Sequence, residues 1–263
     1  MLTDPKIAAK ATVEKVLRMH WWTDKLLTFT TTRPPGYAFS AGQYARLGLR
    51  DANGLVWRAY SMVSSPGQDF LEFYGVLVPN GLFTTQMKAL EEGDGILVEK
   101  QCYGFMTPDR FPDGEDLWMI ATGTGVGPFI SMLRDPYVWG KFRRLILVHG
   151  ARHADEFAYR DELTSYERGA PFDSASRLQV VRAVTREQAA GSDALLLNGR
   201  VTTLFENGTL EQAAGLPVSE GTSRIMMCGN PDMIEDMRKL LHARGLRPVR
   251  RALPGHFVTE NYW

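Results

Sequence analysis

Leu117-Trp-Met-Ile-Ala-Thr-Gly-Thr-Gly-Val-Gly-Pro128 is the stretch that decides the fold. Its first five residues, 117–121, form a continuous apolar run, as a strand buried on both faces does. The next seven place glycines at 123, 125 and 127, and a helical pattern follows. Glycines at a strand-to-helix turn let backbone N–H groups approach a pyrophosphate, and a helix start favours negative charge. The spacing is Gly-x-Gly-x-Gly-Pro rather than Gly-x-Gly-x-x-Gly, so taken alone the turn reads equally well as tight geometry.

Downstream, further apolar runs at 145–149, 178–184 and 224–228 are separated by helical stretches. Buried strands alternating with helices predict an α/β domain on a parallel sheet over 117–263. Upstream, 107–116 is polar and turn-rich with two prolines, and reads as a linker. Before it the pattern changes. Strand-like runs at 13–19, 26–32, 44–49, 58–63, 71–78 and 96–100 are divided by Arg-Pro-Pro-Gly, Asp-Ala-Asn-Gly, Ser-Ser-Pro-Gly and Pro-Asn-Gly. About six short strands with such turn chemistry predict an antiparallel β-barrel or sandwich over 1–106. One helix interrupts, at 84–91, with Met87 and Leu90 on one face.

Composition sets the class. The chain has 263 residues, 44% of them hydrophobic, and 30 basic residues balance 30 acidic ones. That suits one large domain or two modest ones and argues against a general nucleic-acid binder. Two cysteines, Cys102 and Cys228, supply neither a disulfide framework nor the four thiolates of an iron–sulfur cluster. The first 15 residues lack a basic-then-apolar leader pattern, and no run of about 20 apolar residues occurs. The expectation is a cytoplasmic protein with no membrane association. His149 and His153 straddle a strand end with no third ligand of obvious fit, so no metal is expected.

Several side chains stand out. An NAD site commonly carries an acidic residue after the second strand to hold the ribose hydroxyls. Here that strand leads into Gly150-Ala-Arg152, and Arg186 and Arg200 lie near the following elements. Guanidinium groups pair phosphate bidentately, so the three suit a 2′-phosphate, although each also reads as solvated surface charge. Cys228 begins a second glycine turn, Cys228-Gly-Asn-Pro231, at a strand's carboxyl end, where doubly wound sheets hold ligands. A buried structural cysteine fits it equally. In Trp57-Arg-Ala-Tyr-Ser-Met-Val-Ser64, strand alternation puts Arg58, Tyr60 and Met62 on one face and Ala59, Ser61 and Val63 on the other. An arginine to hold phosphate beside a tyrosine to stack on a flat ring is one reading; plain barrel surface is the other.

The order of these pieces carries more than any one of them. Arg58-Ala-Tyr-Ser61, then Thr122-Gly-Thr-Gly-Val-Gly-Pro128, then Cys228-Gly-Asn-Pro231 and the ending Pro254-Gly-His-Phe-Val-Thr-Glu-Asn-Tyr-Trp263 resemble the ferredoxin–NADP reductase superfamily. The ending is similar to that of the bacterial ferredoxin/flavodoxin–NADP reductases, and the resemblance spans essentially the whole chain. It implies a flavin-binding barrel followed by an NADP domain, with FAD and NADP(H) as cofactors. It implies that Arg58 contacts the FAD pyrophosphate, that Tyr60 packs on the isoalloxazine, and that Ser61, next to Ala59, lies near flavin N5. Val76, Val78, Gly81, Phe83 and Thr84 would border the FAD, with Thr84 near its phosphates. Gly123, Gly125 and Gly127 would serve the NADP turn, and Thr124 and Cys228 would flank the nicotinamide. Arg152, Arg186 and Arg200 match positions that hold the 2′-phosphate. Tyr262 and Trp263 would cover the flavin ring and adenine, and Glu260 matches an acidic residue near the reacting atoms.

The implied activity is hydride exchange with NADP(H) coupled to single-electron exchange with ferredoxin or flavodoxin, by a monomer. Ser61 and Cys228 would shape the nicotinamide contact by packing and weak hydrogen bonding rather than by covalent attack. Competing readings are a reductase component of an oxygenase system, a non-autonomous flavin subunit of a larger complex, and a nucleotide-binding module without flavin chemistry. Residues 1–50 hold eight lysines and arginines against three acids. Arg238, Lys239, Arg244, Arg247, Arg250 and Arg251 follow one another without an intervening acid. Both groups suit an acidic redox partner, or else scattered solvated charge.

Overall fold

Turn chemistry cuts the amino half into strands that pair antiparallel. In the computed structural model, which describes residues 4–51, 54–188, 195–251 and 253–261, the chain forms two compact units, Met1–Thr107 and Pro108–Trp263. The first holds α1 (Pro5–Lys10), β1 (Ala11–Trp21), β2 (Leu26–Thr32), β3 (Tyr44–Asp51), β4 (Gly54–Ser61), β5 (Phe70–Val76), α2 (Leu82–Lys88) and β6 (Gly95–Tyr103). The strands form one sheet in the order β4-β3-β6-β1-β2-β5.

Period-2 burial builds its core. Leu27 and Phe29 alternate with threonines along β2, and Phe29 meets Phe73 of β5 at 5.4 Å between ring centroids. The outer strands approach where Met62 bridges Phe73 and the Val63 N–H donates to the Glu72 carbonyl at 2.7 Å. The sheet is thus barrel-like without being closed. The Arg33 guanidinium ties its loops, donating to the carbonyls of Tyr37, Pro66 and Gln68.

Two local expectations need correction. The helix begins at Leu82 rather than at 84 and ends at Lys88, with Met87 in the core. The expected alternation over 58–63 fails: Arg58 and Ala59 are both exposed, whereas 61–65 are all buried. The ladder of β4 stops at Ser61, and the following residues are drawn inward by the Met62–Phe73 bridge.

The second unit contains β7 (Asp116–Thr122), α3 (Gly127–Leu133), α4 (Pro136–Lys141), β8 (Arg144–Ala151), α5 (Arg160–Arg168), β9 (Arg177–Val184), β10 (Leu196–Asn198), α6 (Val201–Glu206), α7 (Thr209–Ala214), β11 (Ser223–Gly229), α8 (Pro231–Ala243) and β12 (Phe257–Asn261). Its sheet is parallel, in the order β10-β9-β8-β7-β11-β12. From β7 the chain steps outward through β8, β9 and β10, then returns to lay β11 on the other side of β7. Crossover direction therefore reverses between β7 and β11, and ligands of open α/β sheets bind beyond strand ends at such a reversal.

The central strands are buried on both faces, as their apolar runs require. Trp118, Ile120, Ile146, Val148, Ile225 and Met227 pack with Met233, Ile234, Met237 and Leu241 of α8. Asn230 caps α8, its Oδ1 accepting from the Asp232 and Met233 N–H groups at 2.8 and 3.2 Å. Asp116, fully buried at the start of β7, accepts from Arg144 Nε and Nη2 at 2.6 and 2.9 Å. Asp113 accepts from the nearly buried Arg224 at 2.6 Å.

Asp116→Asn replaces a bidentate ionic acceptor with an amide that cannot serve both donors. The expected cost is about 1–3 kcal/mol, read as a lower urea midpoint for the second unit. An unchanged midpoint would mean that the pair does not hold β7 to β8.

Candidate active site

At the crossover reversal two glycine turns interlock. Gly123 leaves β7 with φ +55°, a left-handed conformation that suits glycine, and 123–126 form one tight 3₁₀ turn. A Cβ on Gly125 would overlap the carbonyl of Cys228 and crowd Gly229. A Cβ on Gly229, itself at φ +141°, would overlap Thr122, whose Oγ1 accepts from the Asn230 N–H at 2.9 Å. Backbone meets backbone here because Gly125 and Gly229 carry no side chain. Gly123 is exposed and Thr124 half-buried, whereas Gly125 and Gly127 are buried. The Gly127 N–H closes the turn onto the Thr124 carbonyl.

The three arginines stand at neighbouring strand ends. Arg152 follows β8, Arg186 follows β9, and Arg200 follows β10 as the N-cap of α6. The Arg186 N–H donates to the Arg152 carbonyl at 2.9 Å, which holds the first two loops together. All three side chains are exposed, and none pairs with a carboxylate among the described residues. The nearby acids are engaged elsewhere. Glu156 Oε2 accepts from the Arg152 N–H, and Glu187 accepts from the Ala154 N–H and faces His153 at 3.5 Å.

Cys228 is fully buried in β11 and lies in register with Ala121 of β7 and Glu260 of β12. The terminal segment is therefore a sixth parallel strand, and Glu260 is no exposed terminal carboxylate. Its Oε2 is sealed from solvent and has no hydrogen-bond partner among the described residues. Burial pushes its carboxyl up to about 7. Tyr262 and Trp263 lie outside the described residues.

The first unit carries the other sequence-predicted residues. Tyr60 lies between Gly75 and α2: a Cβ on Gly75 would come within 3.0 Å of its ring, Phe83 meets it at 5.4 Å, and its hydroxyl lies 3.6 Å from Met87 Sδ. Burial drives the Tyr60 phenol well above its usual range. Arg58 is exposed and donates to the Trp57 carbonyl. Ser61 Oγ is buried and has no hydrogen-bond partner among the described residues. Val76 ends β5, Val78 is exposed in the loop beyond it, and Gly81 caps α2. Thr84 Oγ1 is committed to that loop, donating to the Val78 and Gly81 carbonyls at 3.0 and 3.2 Å.

A family model described as an oxidoreductase NAD-binding domain matches residues 119–239. The flavodoxin/ferredoxin–NADP reductases of Shigella flexneri and of Escherichia coli (strain K12) are 42% and 41% identical over 250 residues, covering 95% of this chain and 97% of each relative. The chain belongs to the flavodoxin/ferredoxin–NADP reductase family. A crystal structure of a ferredoxin NADP+ reductase from Neisseria gonorrhoeae, with bound FAD and NADP, superposes with a TM-score of 0.89 at 35% identity. It covers 97% of this chain and 99% of that one. The two-domain architecture expected from the sequence is that of this family.

Within the reductase the chain's own residues fit the two nucleotides. The interlocked glycines thin the turn at the sheet's reversal, and arginines without a carboxylate partner among the described residues follow the adjoining strands. The buried Ser61 hydroxyl and Glu260 carboxylate are polar groups that a bound molecule would satisfy, since each otherwise carries a desolvation cost. Sequence reasoning missed that Glu260 would lie in register with Cys228, because strand pairing after a helical crossover leaves no local signal. It also gave His149 no role beyond a weighed and discarded metal ligand.

The Glu260 carboxyl gives a signed prediction. A folded-state pKa above the usual 4.5 makes the native state bind the extra proton, so stability falls as pH rises from about 5 to 7. Wild type is expected to lose about 2–3 kcal/mol between pH 5 and 8 relative to Glu260→Gln, measured as the difference of urea midpoints. Parallel pH profiles for the two proteins would show that Glu260 ionises as an ordinary surface carboxylate.

Proposed function

We propose that this chain is an FAD-dependent oxidoreductase that exchanges a hydride with NADP(H) and single electrons with ferredoxin or flavodoxin. The observation that carries the reading is the pair of interlocked glycine turns at the crossover reversal, beside three arginines that have no acidic partner among the described residues. Support comes from the ferredoxin NADP+ reductase of Neisseria gonorrhoeae, whose structure holds FAD and NADP.

When bound, FAD supplies the redox chemistry that joins a two-electron donor to one-electron carriers. The protein's part is placement. The turn at Gly123, Thr124 and Gly125, with Gly127 opening α3, presents backbone donors to the dinucleotide phosphates. Arg152, Arg186 and Arg200 bind the adenosine 2′-phosphate, and their charge-assisted bonds select NADPH over NADH. Arg58 holds the FAD pyrophosphate from an exposed position beside Ala59. The Tyr60 ring, fixed against Gly75 and Phe83, stacks on the isoalloxazine, and Val76, Val78, Gly81 and Thr84 shape the surround. Ser61 offers its unused hydroxyl to the reacting region, Cys228 limits the nicotinamide's approach, and Glu260 holds a proton near neutral pH. Tyr262 and Trp263 cover the flavin and the adenine.

An acidic carrier suits the basic surface that remains after internal pairing. Lys239 faces Glu235 and Asp236, Arg244 pairs with Glu211 at 2.7 Å, and Arg247 faces Glu220. The run from 238 to 251 is therefore less positive than its sequence implies. Arg238, Arg250 and Arg251 are left for steering. Carrier reduction should weaken with ionic strength, while NADPH-dependent ferricyanide reduction changes little. Equal salt sensitivity would remove charge steering from the account.

Arg152→Gln, Arg186→Gln and Arg200→Gln provide the test of the dinucleotide assignment. Each should raise KM for NADPH by roughly tenfold, the equivalent of one lost charged hydrogen bond. KM for NADH and kcat should change little. A parallel rise in both KM values would show that the arginines support the fold rather than read the phosphate.

A further inference from the structure

His149 is the residue of the second unit whose placement the proposed chemistry leaves unexplained. It sits near the carboxyl end of β8, 1% exposed, in register with Ala121 of β7 and Arg182 of β9. Ile146 and Val148 pack toward α8, so strand alternation sends the imidazole to the other face. There the edge of the Phe157 ring meets it at 5.1 Å between centroids. Its Nε2 lies 3.0 Å from the carbonyl oxygen of Gly123. That oxygen carries no hydrogen, so Nε2 is the donor and the tautomer is assigned.

We infer that His149 is a positioning residue for the dinucleotide: its Nε2–H holds the Gly123 carbonyl inward and thereby aims the Thr124 N–H toward the ligand side of the turn. The peptide linking Gly123 and Thr124 is trans and planar, so its carbonyl and its N–H point in opposite directions. Gly123 has no Cβ to restrain it and occupies the left-handed region, where glycine rotates readily. Without an anchor, this peptide is the loosest part of the turn. The neighbours of the turn are fixed by other means: Thr122 by the Asn230 N–H, and Gly125 by close approach to Cys228. Gly150 brings β8 near enough to serve as the third support, since a Cβ there would lie 2.7 Å from Val201 Cγ2 and 3.2 Å from Thr122 Cγ2.

The imidazole is suited to this task because it stays neutral. Burial, opposed in part by the Gly123 carbonyl and assisted by Arg182, lowers its pKa to about 4. The bond is therefore constant across physiological pH. The role rests on the reading of this turn as the pyrophosphate site.

The test compares His149→Gln with His149→Leu. Gln places a non-titrating N–H where Nε2 stands; Leu removes the donor and keeps the apolar contact. NADP+ binding is measured by difference spectroscopy of the FAD-loaded protein, together with FAD content and kcat. His149→Leu should weaken NADP+ binding roughly tenfold at unchanged FAD content, and His149→Gln should restore it to within about threefold. Wild-type affinity in the Leu variant, or equal loss in both variants, would overturn the inference. If the Leu variant fails to fold, ¹⁵N NMR of the wild-type histidines decides. A neutral ring protonated at Nε2 at pH 6 supports the role, and a charged ring or an Nδ1–H tautomer overturns it. A wild-type protein that takes up FAD but binds no NADP+ would instead remove the pyrophosphate reading, and this role with it, whatever the NMR shows for the ring.

Discussion

The close approach of Gly125 to the Cys228–Gly229 backbone is the constraint on which the second unit's chemistry depends. It allows β7 and β11, which have no connection in sequence, to present their carboxyl ends as one surface at the crossover reversal. A single methyl group at 125 would separate the two turns, because the opposing atoms are backbone and cannot swing aside. Everything proposed for the dinucleotide follows from that approach. Phosphate donors require a bare turn, and the arginines are useful only because β8, β9 and β10 end beside it.

A second theme is polar atoms buried without partners. Ser61 Oγ and Glu260 Oε2 each forgo hydrogen bonds that solvent would give them. A folded chain tolerates that cost where a bound molecule repays it. Thr12 Oγ1, Tyr37 Oη, Trp118 Nε1 and Ser176 Oγ are buried in the same way, whereas Asp116 is matched by Arg144 and Arg33 by three carbonyls.

Much of this was legible in the sequence, for identifiable reasons. Continuous apolar runs at 117–121, 145–149, 178–184 and 224–228 mark strands because a parallel sheet is buried on both faces, and all four appear in β7, β8, β9 and β11. Turn tetrapeptides marked the amino half as antiparallel. The short β10 and the terminal β12 were not legible, since three- and five-residue strands gain their structure from neighbours rather than from their own pattern. Alternation failed after Tyr60 because the Met62–Phe73 bridge is a long-range pairing. The acidic partners of Lys239, Arg244 and Arg247 are brought by the fold, and two of them, Glu211 and Glu220, lie well away in sequence. His149 was visible only as a histidine ending an apolar run, and its bond to Gly123 is a fact of strand register.

The proposed function requires one chain to join a flavin to a phosphate-selective nicotinamide site. An anaerobic visible spectrum of the purified protein, recorded before and after one equivalent of NADPH and then of NADH, tests it most directly. Oxidised flavin bands should bleach rapidly with NADPH and slowly with NADH. A colourless protein that cannot be reconstituted with FAD would contradict it.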